Sequence, residues 1–236
     1  MELVWNLGDH FHRLRPDGLE RQGQALLVGQ MLCPSLIRPT GRVDLLGVRF
    51  TPWGLHGMSH IGLQGLVDHI ASAEHCSLAP PPSFFDDLAD IPGLRTRCVR
   101  LADHLSHRLR NINSPVPSRA VSALAIGAVA TVSQAAQLAG LSTRHLERLA
   151  RSWTGLGPRE LLKLARFRRG VQLLAGEARI SLARIAAAAG YADQPHFNRE
   201  FRRFSGVTPG QFRNHHGEIT ESFISATDEA MRPQAD

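Results

Sequence analysis

The feature that most constrains this chain is a pattern that occurs twice within Val132–Arg213. Each copy has a segment rich in small residues, then a glycine, then a segment dense in arginine: VSQAAQLAGLSTRHLERLARSWTGLGP and LARIAAAAGYADQPHFNREFRRFSGVTP. When Gly140 is aligned with Gly190, and one extra residue is allowed after the second turn, Gly155 aligns with Gly206. Self-similarity of this kind indicates two copies of one supersecondary unit.

Each copy meets the physical requirements of a helix-turn-helix. Two helices that cross steeply need small residues where they touch, and the turn between them needs a glycine that can adopt a left-handed backbone conformation. The small contact residues are Ala135, Ala136 and Ala139 in the first copy and Ile185, Ala186 and Ala189 in the second. After each turn the spacing of apolar residues predicts one buried helical face, formed by Leu141, Leu146 and Leu149 or by Tyr191, Phe197, Phe201 and Phe204.

The opposite face of each second helix is the candidate DNA-binding surface. Arginine can bind guanine through two hydrogen bonds, and Gln or Asn can do the same for adenine, so these residue types suit direct reading of bases. The candidate DNA-binding residues are Arg144, His145, Arg148 and Arg151 in the first copy and Gln194, His196, Asn198, Arg199, Arg202 and Arg203 in the second. A further set is predicted to contact phosphates or to remain solvated: Arg166, Arg168, Arg169 and Arg213.

The net charge of the chain is concentrated in the repeat. The whole sequence carries a formal charge of +6, and its isoelectric point is near 10.4. Residues 142–213 contain fourteen Lys and Arg against five Asp and Glu, so the rest of the chain is net acidic. A local positive field of this kind suits a polyanion and makes binding weaken as salt rises.

These residues resemble the DNA-binding domain of the AraC/XylS family of bacterial transcription regulators, in which two helix-turn-helix units are joined by a long helix. The resemblance covers roughly residues 118–214, and its most specific part is RFRRGVQLLAGEARISLARIAAAAGYADQPHFNREFRRFSGVTPGQF. It implies a sequence-specific regulator that binds double-stranded DNA, is not an enzyme and needs no cofactor. It also implies control by a small effector or by homodimerisation through the N-terminal domain, and a contact with RNA polymerase. No particular effector is indicated.

The helix between the two repeats determines the distance between the two recognition helices on DNA. Gly157 and Pro158 mark its start and Gly176 its end. About 17 residues at 1.5 Å per residue give a rod of roughly 25 Å. With the width of the flanking units added, such a rod can hold two recognition helices in successive major grooves, which lie about 34 Å apart.

The remainder of the chain predicts an α+β protein with a small β-rich N-terminal domain and an all-α domain of about seven helices. Strands are expected in ELVWNL, ALLVGQM and RVDLLGVRF, and helices over Ile61–Ala73 and Leu94–Leu109. The stripe of the second helix is Val99, Leu101, Leu105 and Leu109. The predicted division is residues 1–112 for the N-terminal domain, 113–118 for a linker, 119–216 for the DNA-binding domain and 217–236 for a disordered tail.

Three strands are too few for a closed barrel, because unpaired edges invite association. Two alternatives follow: the chain is a shortened version of the family architecture, or a partner completes its sheet.

Cysteine and histidine usage bears on the competing functions. The three cysteines lack CxxC spacing, which argues against a disulfide framework and a zinc site, and the histidine pairs lack partners at ligand spacing, so no metal is predicted. No signal peptide or membrane span is visible, which predicts a cytoplasmic protein with no membrane partner. A DNA-repair methyl acceptor with the same binding module and a nonspecific architectural DNA-binding protein are the two alternative functions.

Overall fold

The computed structural model describes residues 1–56, 58–109, 117–176 and 180–215. Within these ranges the strands lie in the first third of the chain and the α-helices follow, so the predicted α+β fold is confirmed. The predicted tail, residues 217–236, lies outside the described residues, as does most of the predicted linker. The domain boundaries therefore stay predictions, although the first helix of the C-terminal domain begins at Ser118, beside the boundary expected.

Seven strands form two antiparallel sheets in the described part of the N-terminal region. Four strands pair in the order β6, β1, β4, β7, and three pair in the order β3, β2, β5. Their bounds are β1 Glu2–Asn6, β2 Phe11–Arg15, β3 Gly18–Arg21, β4 Ala25–Val28, β5 Ile37–Pro39, β6 Leu45–Arg49 and β7 Ile70–Ser72. The three predicted strands correspond to β1, β4 and β6.

Burial explains why only these strands were predictable. On β1, Leu3 and Trp5 are fully buried, and Trp5 stacks on Phe85 with ring centroids 5.1 Å apart. By contrast, every residue of β3 and β5 is exposed, so the three-stranded sheet has little apolar alternation. The estimate of about three strands was wrong. Strands β3 and β5 were missed because a strand that buries little carries no periodic signal.

The helix predicted over Ile61–Ala73 is wrong. The segment contains one short 3-10 turn, Leu63–Leu66, followed by β7. Its apolar residues mimic helical spacing, but Asp68 has a φ of +59°, which no α-helix accommodates.

Two helices complete the N-terminal region. They are α1 Pro82–Asp90 and α2 Leu94–Leu109, and the second matches its predicted bounds. Leu101 and Leu105 of the predicted stripe are buried, but Val99 is 52% exposed, so the prediction for Val99 was wrong. Phe85 and Leu88 of α1 join Leu101 and Leu105 in one core with β1 and β4.

The C-terminal region contains seven helices within residues 117–176 and 180–215, as predicted. They are α3 Ser118–Ile126, α4 Val132–Leu138, α5 Thr143–Thr154, α6 Pro158–Gly176, α7 Leu182–Ala188, α8 Gln194–Ser205 and α9 Pro209–His215. One apolar cluster lies around Leu146, Trp153 and Leu161, and a second lies around Phe197 and Phe201. None of the helices in the described residues is both long and apolar enough to cross a membrane.

The two regions pack against each other. Leu32, Trp53 and Val67 of the N-terminal region contact the cluster of the first helix-turn-helix unit. The His56 ring lies 5.8 Å from the Trp153 ring, measured between centroids. The sequence does not predict this contact, because it joins residues that lie far apart along the chain.

Candidate nucleic-acid interface

The two helix-turn-helix units are equivalent at the level of single hydrogen bonds. Gly140 and Gly190 have φ values of +62° and +85°, the left-handed conformation that the sequence predicts. In each unit the amide after the glycine donates to the carbonyl five residues earlier, from Leu141 to Ala136 and from Tyr191 to Ala186, both at 2.9 Å. The small contact residues are buried or half-buried between the helices. The internal duplication is therefore present in the structure as well as in the sequence.

Both recognition helices begin with a side-chain cap. The Ser142 hydroxyl accepts a hydrogen bond from the His145 amide at 3.2 Å at the start of α5. At the start of α8, the Asp193 carboxylate accepts one from the His196 amide at 2.7 Å. Such caps satisfy backbone donors that have no partner within the helix. Each helix then ends at a left-handed glycine, Gly155 or Gly206.

The first recognition helix, α5, presents part of its predicted surface to solvent. Arg144, Arg148 and Arg151 are exposed, and His145 is half-buried. The Arg151 guanidinium lies 2.9 Å from the Glu147 carboxylate one turn earlier. This exposed ion pair holds Arg151 along the helix, so Arg144 and Arg148 are the less constrained cations of α5.

The predicted DNA-binding residues of the second recognition helix, α8, differ in their exposure to solvent. Arg199, Arg202 and Arg203 are exposed, whereas Gln194, His196 and Asn198 are half-buried at the edges of the helix. Phe197, Phe201 and Phe204 fill the opposite face and are buried. The arginines therefore form the accessible surface, and the amide and imidazole side chains flank it.

Glu200 is a buried acid in α8 that sequence reasoning did not single out. Its side chain is only 11% exposed, and one carboxylate oxygen lies 3.5 Å from Lys163 Nζ and 3.9 Å from His196 Nε2. Lys163 is the only lysine of the chain. The contact joins α8 to α6, so it helps to orient the second recognition helix. The available signal was that Glu200 lies three residues after Phe197, on the edge of the apolar face.

Tyr191 and Arg166 complete this polar cluster. The Arg166 guanidinium lies 5.6 Å from the centre of the Tyr191 ring. Burial and the neighbouring Glu200 carboxylate raise the pKa of the Tyr191 hydroxyl, and Arg166 opposes that change. Arg166 is half-buried here, which leaves it less available to phosphates than predicted.

Arg168 lies between the two regions of the chain. Its guanidinium donates to the Gln30 side-chain oxygen at 3.4 Å. Burial, together with the nearby positive charge of Arg49, lowers the pKa of Arg168 to about 10, and Glu2 partly offsets this. The prediction that Arg168 contacts phosphate or remains solvated was wrong, because its position on α6 faces the N-terminal region.

The three cysteines are free thiols in this fold. Cys33 and Cys98 are exposed, and Cys76 is buried in the core of the N-terminal region. Within the described residues no group of three or more His, Cys, Asp or Glu side chains is placed to hold a metal ion.

A family model described as a helix-turn-helix domain matches residues 135–215, which span both units. The regulator GlxA of Rhizobium meliloti strain 1021 is 38% identical over 82 residues, covering 35% of this chain and 25% of GlxA. Residues 135–215 are a helix-turn-helix domain similar to those of transcriptional regulators, as the resemblance to the AraC/XylS family implies. The ArgR regulator of Pseudomonas aeruginosa is 32% identical over 84 residues, covering 36% of this chain and 25% of ArgR. Both are named as transcriptional regulators, a class that generally does not catalyse reactions.

These relatives are longer proteins, since the match spans about a quarter of each. Over a greater length the chain is similar in fold to ToxT from Vibrio cholerae. One structure of it aligns with a TM-score of 0.52 over 90% of this chain and 89% of ToxT, at 10% identity. Another, described as unsaturated fatty acid bound wild-type ToxT, aligns with a TM-score of 0.52 over 90% of this chain and 86% of ToxT, at 11% identity. At such identity the likeness concerns the fold alone, a β-rich region followed by a helical region.

Proposed function

We propose that the chain is a sequence-specific transcription regulator whose recognition helices α5 and α8 enter two successive major grooves of double-stranded DNA. One observation carries this proposal: two equivalent units each bury the apolar face of the recognition helix and expose its arginines. The proposed contacts are Arg144, His145, Arg148, Arg151, Gln194, His196, Asn198, Arg199, Arg202 and Arg203.

The length of the connecting helix supports the proposal that one chain binds two half-sites. Its 19 residues, Pro158–Gly176, give a length of ~28 Å at 1.5 Å per residue. Since one turn of DNA measures about 34 Å, the half-width of each flanking unit makes up the difference. A bipartite site without a palindrome is the expected target.

Arg199→Ala is expected to weaken binding to the specific site by about 1–3 kcal/mol and to relax the preference at one base pair. Arg199 is exposed at the centre of the free face of α8, where a guanidinium can reach a base edge. Selection of bound duplexes from a random pool supplies the site, and titration with single-base variants measures the preference.

Arg95→Ala is the matched control, because Arg95 is an exposed arginine on α2, outside the proposed interface. It removes the same charge and should change the affinity little. If Arg199→Ala lowers the affinity for every sequence equally, Arg199 contacts phosphate and does not read a base.

A nonspecific architectural protein is the second candidate, and the basic surface alone would suit it. Electrostatic binding to phosphates falls as salt rises, whereas a specific complex retains one preferred site after nonspecific binding has been lost. Mobility shifts at rising salt therefore separate the two functions. The methyl-acceptor alternative predicts transfer of a methyl group from alkylated DNA to a cysteine, which mass spectrometry of the intact chain would detect.

Control by a small effector is also part of the proposal, and a cavity between the two regions supports it. The cavity has a volume of about 510 Å³. Its walls combine apolar side chains with two arginines, Arg49 and Arg168, and one carboxylate, that of Glu2. Arg49 is paired with Glu2 at 2.5 Å, so Arg168 is the cation that an incoming anion would meet with least competition. A carboxylate with an apolar body fits this lining, and the fatty acid named for the ToxT structure is such a molecule.

Oleate below its critical micelle concentration is expected to raise the melting temperature of the protein, and Arg168→Met should abolish most of that shift. The expected reason is that a half-buried guanidinium gains a charge-assisted hydrogen bond to the carboxylate. Differential scanning fluorimetry checks this, with oleyl alcohol as the uncharged control ligand. Equal shifts for oleate in the wild type and in Arg168→Met would contradict the assignment.

The remaining partners stay predictions. Homodimerisation through the N-terminal domain, a contact with RNA polymerase and the absence of catalysis are proposed from the family resemblance. A cytoplasmic location stays a prediction from the sequence. Sedimentation velocity with and without the probe ligand measures the first of these.

A further inference from the structure

The N-terminal region touches the C-terminal end of both recognition helices at equivalent positions. A Cβ atom added to Gly155, which ends α5, would lie 2.9 Å from the carbonyl carbon of Leu63 and 2.9 Å from Val67 Cγ2. A Cβ added to Gly206, which ends α8, would lie 3.2 Å from Pro34 Cγ. The same position of the internal repeat is therefore used twice as a docking point.

Two separate segments of the N-terminal region make these contacts. We define the first as the α8-contact segment, residues 30–34, and the second as the α5-contact segment, residues 63–68. Leu32 and Val67 both pack on the apolar cluster around Trp153 and Leu156. The two segments lie far apart in the sequence, so an interaction between them is needed to keep their relative position fixed.

Asp68 joins the two segments. Its carboxylate accepts hydrogen bonds from the Leu32 amide at 2.5 Å and from the Cys33 amide at 3.1 Å. Its own amide donates to the Gln30 carbonyl at 2.9 Å. Gln30 in turn accepts from Arg168 on α6, so the same junction reaches the helix between the two units.

The backbone of Asp68 is unusual in a way that fits this role. With a φ of +59°, it is the one residue other than glycine in the described part of the chain that has a positive φ. An L-residue adopts this conformation at a cost, and Asp and Asn adopt it more readily than most residues. A carboxylate at this position is therefore held by its hydrogen bonds to the α8-contact segment.

We propose that Asp68 is a positioning residue that fixes the two recognition helices relative to each other, so that the N-terminal region sets the half-site spacing the chain accepts. The inference rests on the proposed function, because it concerns how two recognition helices share one DNA site. Each base pair inserted between half-sites moves the second one by about 3.4 Å and rotates it by about one tenth of a turn. A rigid bridge between the helix ends makes such a change costly, whereas a loose one lets the units adjust.

The test compares Asp68→Gly with Asp68→Asn. Glycine accepts the positive φ and lacks the carboxylate, so it removes the link to Leu32 and Cys33 with least strain on the backbone. Asparagine tolerates the same φ and retains an oxygen that accepts hydrogen bonds, so it is the conservative control. The duplexes carry the selected half-sites at the selected spacing and at spacings one and two base pairs shorter and longer.

For the wild type and Asp68→Asn we expect about tenfold weaker binding when the spacing changes by one base pair, as for two linked modules that must engage together. For Asp68→Gly we expect that penalty to shrink to less than about threefold, while binding to an isolated half-site stays unchanged. Hydrogen exchange on the free protein gives a readout without DNA. Asp68→Gly should speed exchange at the Leu32 and Cys33 amides and at the ends of α5 and α8.

Retention of the full spacing penalty in Asp68→Gly, with or without faster exchange, would overturn the proposal. Failure of the proposed function would look different, because the wild type itself would then select no bipartite site. Circular dichroism of both variants establishes that the comparison is made between folded proteins.

Discussion

Phe201→Ala is expected to lower the free energy of unfolding of the C-terminal region by about 3–5 kcal/mol, the largest effect of any substitution considered for this chain. Phe201 is fully buried. Its ring centroid lies 5.1 Å from that of Phe167 and 5.5 Å from those of Phe197 and Phe212. Removing the ring leaves a cavity at the point where α6, α8 and α9 meet. Urea unfolding followed by far-UV circular dichroism measures the loss.

The first repeat makes this prediction informative. Ala150 occupies the position equivalent to Phe201 and is also fully buried. A helix-turn-helix unit can therefore have an alanine at this position, provided that larger neighbouring side chains fill the space, as Trp153 does in the first copy. Phe201→Leu is the graded control and should cost about 1–1.5 kcal/mol, since it retains most of the volume. A loss below about 1 kcal/mol for Phe201→Ala would mean that the second unit can collapse around the gap.

Gly155→Ala is expected to lower the free energy of unfolding by about 2–5 kcal/mol and to loosen the contact between the two regions. Two costs combine at this position. Alanine is strained at the φ of +78°, and its Cβ would meet the Leu63 carbonyl, which is backbone and cannot rotate away. Thermal unfolding measures the first quantity. Limited proteolysis between the regions reports the second.

Gly140→Ala is the matched control for Gly155→Ala. Gly140 also has a positive φ, of +62°, but no atom lies within 4 Å of a Cβ built there. Its substitution should cost only the conformational strain, about 1–2 kcal/mol, and should leave the contact between the regions intact. Equal losses for the two variants would show that the contact at Leu63 contributes nothing to stability.

Sequence patterns predicted the C-terminal region in detail because its defining interactions are local. Small residues at a helix crossing, a glycine in the turn and apolar residues three or four positions apart all lie within one repeat. Gly140, Gly190 and the buried Phe197 were therefore predictable, and so was the length of α6. The exposed arginines followed from the same periodicity, because residues on the other side of a buried face must point outward.

The N-terminal region was only partly predictable, since its sheets depend on pairings between distant segments. Strand β1 was evident because alternate residues such as Leu3 and Trp5 are buried. Strands β3 and β5 were not, because they bury nothing. The apolar residues of 61–73 imitated a helix, whereas the segment forms a 3-10 turn and strand β7 with Asp68 at a positive φ between them.

The sequence by itself determined that this chain has two helix-turn-helix units with basic recognition helices. Only the tertiary structure decided how those units are held. Arg168 lines a cavity between the two regions, Glu200 pairs with the single lysine, and Asp68 links two segments that touch both recognition helices. The physical reason is that each of these contacts joins residues far apart along the chain. Such contacts leave no periodic mark in the sequence, whereas a helix that buries one face repeats its pattern every turn.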